Sequence, residues 1–421
     1  MEQKQYQQII KVLNQELVPA LGCTEPIAIA YAAAKAREIL GEMPEHIMAR
    51  CSGNIIKNVK GVIVPSTGNM RGIETSAILG ALAGDADARL EVLEKVTKQD
   101  VEQTRELLER GMCEIALIPG GANLQIIIEA DAGEDHAEVE IRDQHTNIVR
   151  MEKNGQILFE KTEGGKMAEA APALNLTLQE IYDFANQVRI QDVKEVLDRQ
   201  IQYNTDIAAE GLANSYGANV GKTILKNYGN DVKNLAKAFP AAGSDARMGG
   251  CMKPVVINSG SGNQGMTVSL PVIVYAKYLK VSQETLYRAL VLSNLVAIHL
   301  KSGIGKLSAY CGAVSAACGS GAAITYLHGA PLEVIEKTIT NTIGNISGMV
   351  CDGAKSSCAA KIASAVDAAV MGHYMAMDNN TFGPGEGLVK DDVEKTIETV
   401  STMGREGMKQ TDQEILELMI H

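Results

Sequence analysis

The chain has 421 residues and carries 51 acidic against 39 basic side chains, a net charge of −12, with 46% hydrophobic and 21% charged residues. That length accommodates two or three domains with cores of their own and excludes one small module; the acidic balance, without a Lys/Arg cluster, argues against nucleic acid and for small-molecule or protein partners. Forty glycines, no tryptophan and four phenylalanines imply a core of Ala, Val, Leu, Ile and Met with close backbone approaches.

In chain order, MEQKQYQQIIKVL reads as a polar amphipathic helix, with Tyr6, Ile9, Ile10, Leu13 and Leu17 at helical spacing; it is not a secretory signal. Pro26 opens a second helix through AIAYAAAKAREIL. From Met48 to about Ser66, the β-branched Ile55, Ile56, Val59, Val62, Ile63 and Val64 suggest short strands. A helix near Val101 to Arg110 precedes a strand-rich block, CEIALIP, NLQIIIEADA, HAEVEIRD and TNIVRMEKNGQILFEK. There Asn154–Gly155 marks a hairpin, and the alternation from Glu138 to Arg142 implies an antiparallel sheet with one wet face and helices on the other.

Beyond about residue 170 the chain reads as helical and Ala/Gly-rich to its end. The expected architecture is α+β: N-terminal helices (1–45) packing on the larger domain, an α+β domain containing an antiparallel sheet (46–170), and a larger, mostly helical domain (171–421). The longest apolar stretches, Val268 to Tyr278 and Ala289 to Leu300, are too short or too interrupted to span a bilayer. We expect a cytoplasmic protein, no membrane partner, and a homodimer as the default assembly.

Eight cysteines without a secretory signal argue against a disulfide framework and leave metal binding, catalysis or plain burial. In NISGMVCDGAKSSCAAKI, Cys351 and Cys358 stand seven positions apart. On one continuous helix they would be separated by roughly 10 Å along the axis. Gly348, Asp352 and Gly353 break the helix, however, and Ser356 or Ser357 can cap a new one. The spacing therefore predicts a loop that folds Cys351 back toward Cys358, with Cys358 in a first helical turn where the helix dipole favours a thiolate. GIGKLSAYCGAVSAACGSGAA supplies Cys311 forty positions earlier, followed by a glycine. ALGCTEPIAIA puts Cys23 just before a helix that Thr24 can cap and whose first turn accommodates Pro26. Cys51, Cys113, Cys251 and Cys318 have less to recommend them, and burial is the competing reading for all eight. No CxxC zinc spacing is present, so a thiolate-held cluster is favoured over a tetrahedral zinc site.

Two glycine-rich loops offer ligand donors: INSGSGNQG, with Ser259, Ser261, Asn263 and Gln264, and VPSTGNMRG, with Ser66, Thr67 and Asn69. A tight turn leading into a helix is the plain alternative for both. Lys57 and Lys301 can pair with a carboxylate, although a lone lysine is usually solvated.

Together, LGCTEP, AYCGAVSAACG and CDGAKSSC resemble the L-cysteine desulfidase family, related to the catalytic α domain of iron–sulfur L-serine dehydratases, over nearly the whole chain. The resemblance implies a [4Fe–4S] cluster held by Cys311, Cys351 and Cys358, with Cys23 as the base. It implies a lyase independent of pyridoxal phosphate that converts L-cysteine to pyruvate, ammonia and hydrogen sulfide. The serine dehydratases carry a longer spacer between their last two ligands and a serine–histidine stretch where this chain has LGCTEP, which favours the desulfidase. L-serine dehydration by the same mechanism is the alternative. SGSGNQG also resembles the asparagine loop of pyridoxal-phosphate ammonia-lyases, whose βαβ pattern the C-terminal half lacks. A labile cluster would suit a redox or iron sensor, for which no output module is legible.

Overall fold

The computed structural model describes residues 1–161, 176–305 and 308–420; the expected domain boundary at about residue 170 lies outside them. The chain opens with helix α1 (Gln3–Glu16), a two-residue strand β1 (Pro19–Ala20) and helix α2 (Thr24–Leu40). Strand β2 (His46–Cys51) leads to helices α3 (Gly53–Val59), α4 (Gly72–Ala83) and α5 (Lys98–Glu109). Strands β3 (Cys113–Leu117), β4 (Gln125–Ala132), β5 (Asp135–Arg142), β6 (Ile148–Lys153) and β7 (Gln156–Glu160) follow.

Among the described residues these strands form a six-stranded sheet of order β3-β2-β4-β5-β6-β7. Every pair is antiparallel except β2 with β3, which run parallel with Ile47 opposite Cys113 and Cys51 opposite Leu117. The period-2 pattern is cleanest in β4, where Ile126, Ile128, Ala130 and Ala132 face inward. The β6–β7 hairpin turns at Asn154 (φ 52°) and Gly155 (φ 80°), the left-handed pair that a two-residue turn between twisted strands requires.

One face of the sheet is covered by α2, whose alanines at 28, 30, 32, 33, 34 and 36 are all buried. Small side chains let α4 lie directly on it: a Cβ on Gly80 would stand 2.3 Å from the Ala30 carbonyl oxygen. Of the short strands expected from Met48 to about Ser66, β2 supplies the start as far as Cys51, and the rest is the short helix α3 and turns. Ile55 and Val59 sit four residues apart and are both fully buried, so burial of one helical face overrides their β preference.

The remainder is helical: α6 (Leu178–Gln187), α7 (Lys194–Ala213), α8 (Val220–Tyr228) and α9 (Val232–Met248), then the short strand β8 (Val255–Val256). Helices α10 (Gly262–Leu279), α11 (Gln283–Ile304), α12 (Gly312–Leu327), α13 (Leu332–Ile346), α14 (Cys358–Met377), α15 (Val393–Thr402) and α16 (Lys409–Ile420) complete the chain. The Ala/Gly-rich α12 is buried along nearly its whole length and touches α10, α11, α13 and α14. Of the two N-terminal helices, α1 contributes Ile9 and Leu13 to this helical core, whereas α2 belongs to the core under the sheet. No helix among the described residues is long and apolar enough to cross a membrane.

Strand β1 pairs antiparallel with β8, and this small junction positions the site. It sets the LGCTEP segment beside the INSGSGNQG segment, and Asn204 on α7 clamps it by accepting from Val256 N–H (2.9 Å) and donating to Ser269 Oγ (2.9 Å).

The α2–α4 contact makes a prediction. Gly80→Ala should lower the urea midpoint, corresponding to about 1–3 kcal/mol of overpacking. Gly348→Ala, where an added Cβ meets nothing within 4 Å, should stay within about 0.5 kcal/mol of the parent. Equal midpoints for the two variants would contradict the close packing.

Candidate active site

Four cysteines line one cavity of about 100 Å³: Cys23, Cys311, Cys351 and Cys358. Each comes from a different place in the fold. Cys311 is the N-cap residue of α12, and Cys351 lies in the loop before α14. A single antiparallel bridge between Tyr310 and Val350 sets these two side by side. Cys311 N–H donates to Met349 C=O (3.0 Å), and Cys351 N–H donates to Ala309 C=O (2.6 Å). The chain then turns at Gly353, whose φ of +91° and 2.3 Å approach of a notional Cβ to the Lys57 carbonyl demand glycine. Cys358 follows as the first residue of α14. The expected fold-back is therefore present. Ser357 occupies the N-cap position, although its side chain makes no capping bond.

Burial, and next the neighbouring Cys351, push the Cys311 thiol up to about 12; burial also raises Cys358. At Cys358 desolvation thus outweighs the expected help of the helix start, because a helix terminus contributes only about 0.3–1 kcal/mol. Three sulfurs gathered beside Lys301 and Lys361, which also line the cavity, form a donor set that suits soft, anionic iron–sulfur ligation. Among the described residues, no three His, Cys, Asp or Glu side chains are arranged to hold a single metal ion. A four-iron cluster makes a different demand, since each thiolate ligates its own iron.

Cys23 is 2% exposed and stands at the N-cap of α2, one residue earlier than Thr24. Its Sγ–H donates to Glu25 Oε2 at 2.9 Å. Burial first, then the Glu25 charge, raise the Cys23 thiol well above its ordinary range, so the resting group is a thiol despite its place at the start of a helix, where a thiolate is favoured. Burial works against charge on Glu25 too, yet His145 and the Cys23 thiol together hold its carboxyl at about 2. His145 Nε2 lies 3.9 Å from Glu25 Oε1, an ion-pair distance and not a hydrogen bond. The buried Arg247 fixes the turn through Nε to Gly22 C=O (2.7 Å), and Thr24 Oγ1 donates to Gly260 C=O (3.0 Å).

The glycine loop after β8 has two roles. Ser261 caps α10 by accepting from Gln264 N–H, so a helix-starting turn is present. Ser261, Asn263 and Gln264 also line the cavity, and Asn263 Oδ1 and Gln264 Oε1 are buried acceptors without a partner. Gln264 packs against the start of α12 because Gly312 leaves room: a Cβ there would stand 2.5 Å from the Gln264 carboxamide carbon. Ser259 is outside the cavity lining and donates to Asn258 Oδ1. Ser66 and Thr67 are outside it as well. Thr67 closes its own turn, donating to Val64 C=O (2.6 Å) and accepting from Met70 N–H (3.2 Å), and Ser66 Oγ lies against Leu93 C=O.

Both expected lysines line the cavity and both are buried. Burial lowers Lys301. Lys57 is ion-paired with Asp412 of α16, which ties the last described helix to the wall of the site. The sequence reading passed over Glu25, Arg247, Tyr310 and His145. Glu25 lay in plain view inside LGCTEP, and Arg247 was marked by the charged pair of GSDARMGG in an otherwise small-residue helix. His145, in a polar hairpin loop, carried no signal.

The family description “Serine dehydratase alpha chain” matches residues 87–417. The chain belongs to that family. The match contains Cys311, Cys351 and Cys358 and begins after Cys23. Similarity to individual proteins extends over nearly the full length: “UPF0597 protein” of Lachnoclostridium phytofermentans is 55% identical, over 99% of this chain and 100% of the relative. Proteins of the same description from Desulfitobacterium hafniense (49%, covering 100% and 98%) and Treponema denticola (48%, covering 100% and 99%) are also similar.

The Lys57–Asp412 pair yields a prediction. Asp412→Ala leaves an ammonium 2% exposed without its carboxylate, at a cost of about 3 kcal/mol, and should free α16 to proteolysis. Lys57→Met combined with Asp412→Leu should recover most of that loss. Native proteolytic resistance in Asp412→Ala would show that the pair does not hold α16.

Proposed function

We propose that this protein is an iron–sulfur-dependent lyase that removes the α-proton and the β-substituent of a small amino acid, with L-cysteine as substrate and pyruvate, ammonia and hydrogen sulfide as products. The observation that carries the reading is the convergence of Cys311, Cys351 and Cys358 from separate elements on one small cavity that also holds Cys23, Lys57, Lys301 and Arg247. Those three thiolates would hold a [4Fe–4S] cluster. When bound, such a cluster with three protein ligands supplies an iron with an open position, a Lewis acid for the departing group.

The remaining roles belong to the chain itself. The cavity lining, with its lysines, arginine and carboxamides, is the kind that binds a small charged molecule such as an amino acid. Buried cations on its wall attract a carboxylate, while the partnerless amide oxygens of Asn263 and Gln264 offer acceptors to an ammonium group. Cys23 is the residue placed to receive the α-proton. Proton loss and departure of the β-group leave an aminoacrylate, whose imine tautomer hydrolyses in water to pyruvate and ammonia.

L-serine is the second reading, supported by the family match over residues 87–417. For L-cysteine speaks LGCTEP in place of a serine–histidine stretch, in a segment that precedes the matched residues.

The deciding experiment is anaerobic reconstitution with iron and sulfide, followed by measurement of sulfide released from L-cysteine and pyruvate formed from L-serine. Cys311→Ala, Cys351→Ala and Cys358→Ala should each lose the iron–sulfur absorbance and the activity. Cys23→Ala should keep the absorbance and lose about 10²-fold or more in kcat. An intact cluster in all three ligand variants would refute the assignment, and a cluster without turnover of any amino acid would favour a sensor.

A further inference from the structure

A thiol that must act as a base inside a protein meets a difficulty. A bare thiolate in the Cys23 pocket would bear the full cost of desolvation, several kcal/mol for an unpaired buried charge. A neutral thiol can nonetheless accept a proton at sulfur if its own proton leaves in the same event. The structure supplies the acceptor. Cys23 Sγ–H already donates to Glu25 Oε2, and Glu25, 8% exposed in the first turn of α2, lines the cavity.

Behind Glu25 stands His145, brought from the β5–β6 loop of the sheet and 7% exposed. Its Nε2 is 3.9 Å from Glu25 Oε1 and has no hydrogen-bond partner. A ring nitrogen buried for structural reasons would be paired, since buried polar atoms in native proteins almost always are. An unpaired nitrogen aimed at a buried carboxylate is instead a place where a proton can arrive.

We propose that Glu25 and His145 form a proton relay behind Cys23, a role that rests on the lyase reading. In the step, the substrate Cα–H bond breaks and a new S–H bond forms at Cys23. The original S–H bond breaks and an O–H bond forms at Glu25 Oε2. The electron pair left on the substrate carbon expels the β-substituent, and no oxidant or reductant is consumed. Sulfur is a thiol before and after. His145, once its own Nε2 proton has passed to solvent, takes the proton from the Glu25 carboxyl and restores the carboxylate–imidazolium pair of the resting site.

The test uses the full-length protein with its cluster reconstituted, as wild type and as Glu25→Gln, Glu25→Asp, His145→Gln and Cys23→Ser. Three quantities are read: kcat and KM on whichever of L-cysteine and L-serine the wild type turns over, the iron–sulfur absorbance, and the infrared S–H stretching band that Cys23→Ser removes. Glu25→Gln should keep the absorbance, lower kcat about 10²-fold or more and leave KM within about threefold. Glu25→Asp should recover at least about tenfold of that loss, and His145→Gln should lower kcat about tenfold. The S–H band, weakened by its carboxylate acceptor, should move to higher frequency in Glu25→Gln. Wild-type kcat in Glu25→Gln, or loss of absorbance together with activity in both Glu25 variants, overturns the relay. Turnover with an unmoved band removes the relay alone. A shifted band with no turnover of either amino acid in the wild type removes the lyase reading and the relay with it.

Discussion

Two backbone hydrogen bonds across the Tyr310–Val350 bridge hold Cys311 and Cys351 against one another, and the rest of the site is arranged around that pairing. Without it, the N-cap of α12 and the loop before α14 would be free to present their sulfurs in different directions. With it, the turn at Gly353 needs only to bring Cys358 round to the same cavity. Main-chain bonds are well suited to this task, because they hold the two residues together without using their side chains. The cysteines themselves sit at helix starts and in a loop, where a few residues can adjust without disturbing the packed core.

A second constraint is electrostatic. The cavity gathers thiols, lysines, an arginine and a carboxylate, most of them buried. Each charge there is expensive alone, and two are offset by a neighbour: Lys57 by Asp412, and Glu25 by His145 and the Cys23 thiol. Such mutual dependence concentrates perturbed groups at a functional site. It also explains why Cys23 rests as a thiol. A position at a helix start is worth about 1 kcal/mol at most, whereas an uncompensated buried charge costs several.

Much of this was readable in the sequence, for identifiable reasons. Strand β4 declares itself through its alternating residues, the β6–β7 hairpin through the Asn154–Gly155 turn, and the break between Cys351 and Cys358 through Asp352 and Gly353. The resemblance gathered three distant cysteines that spacing alone could not bring together. What stayed hidden depended on tertiary context. Ile55 and Val59 are β-formers that a buried face recruits into α3. Thr67 looks like a ligand donor but spends its hydroxyl closing a turn. His145 is a single polar residue in a polar loop, and only the folding of the sheet onto α2 gives it a neighbour in Glu25.

The ion pair between Lys57 and Asp412 spans 355 positions of sequence, and the cavity that it borders draws on residues from both the sheet-bearing and the helical parts of the chain. Residues 351 and 358 and helix α16 are made hundreds of residues after Cys23 and Glu25, so the wall of the cavity is complete only once the far end of the chain has been synthesised.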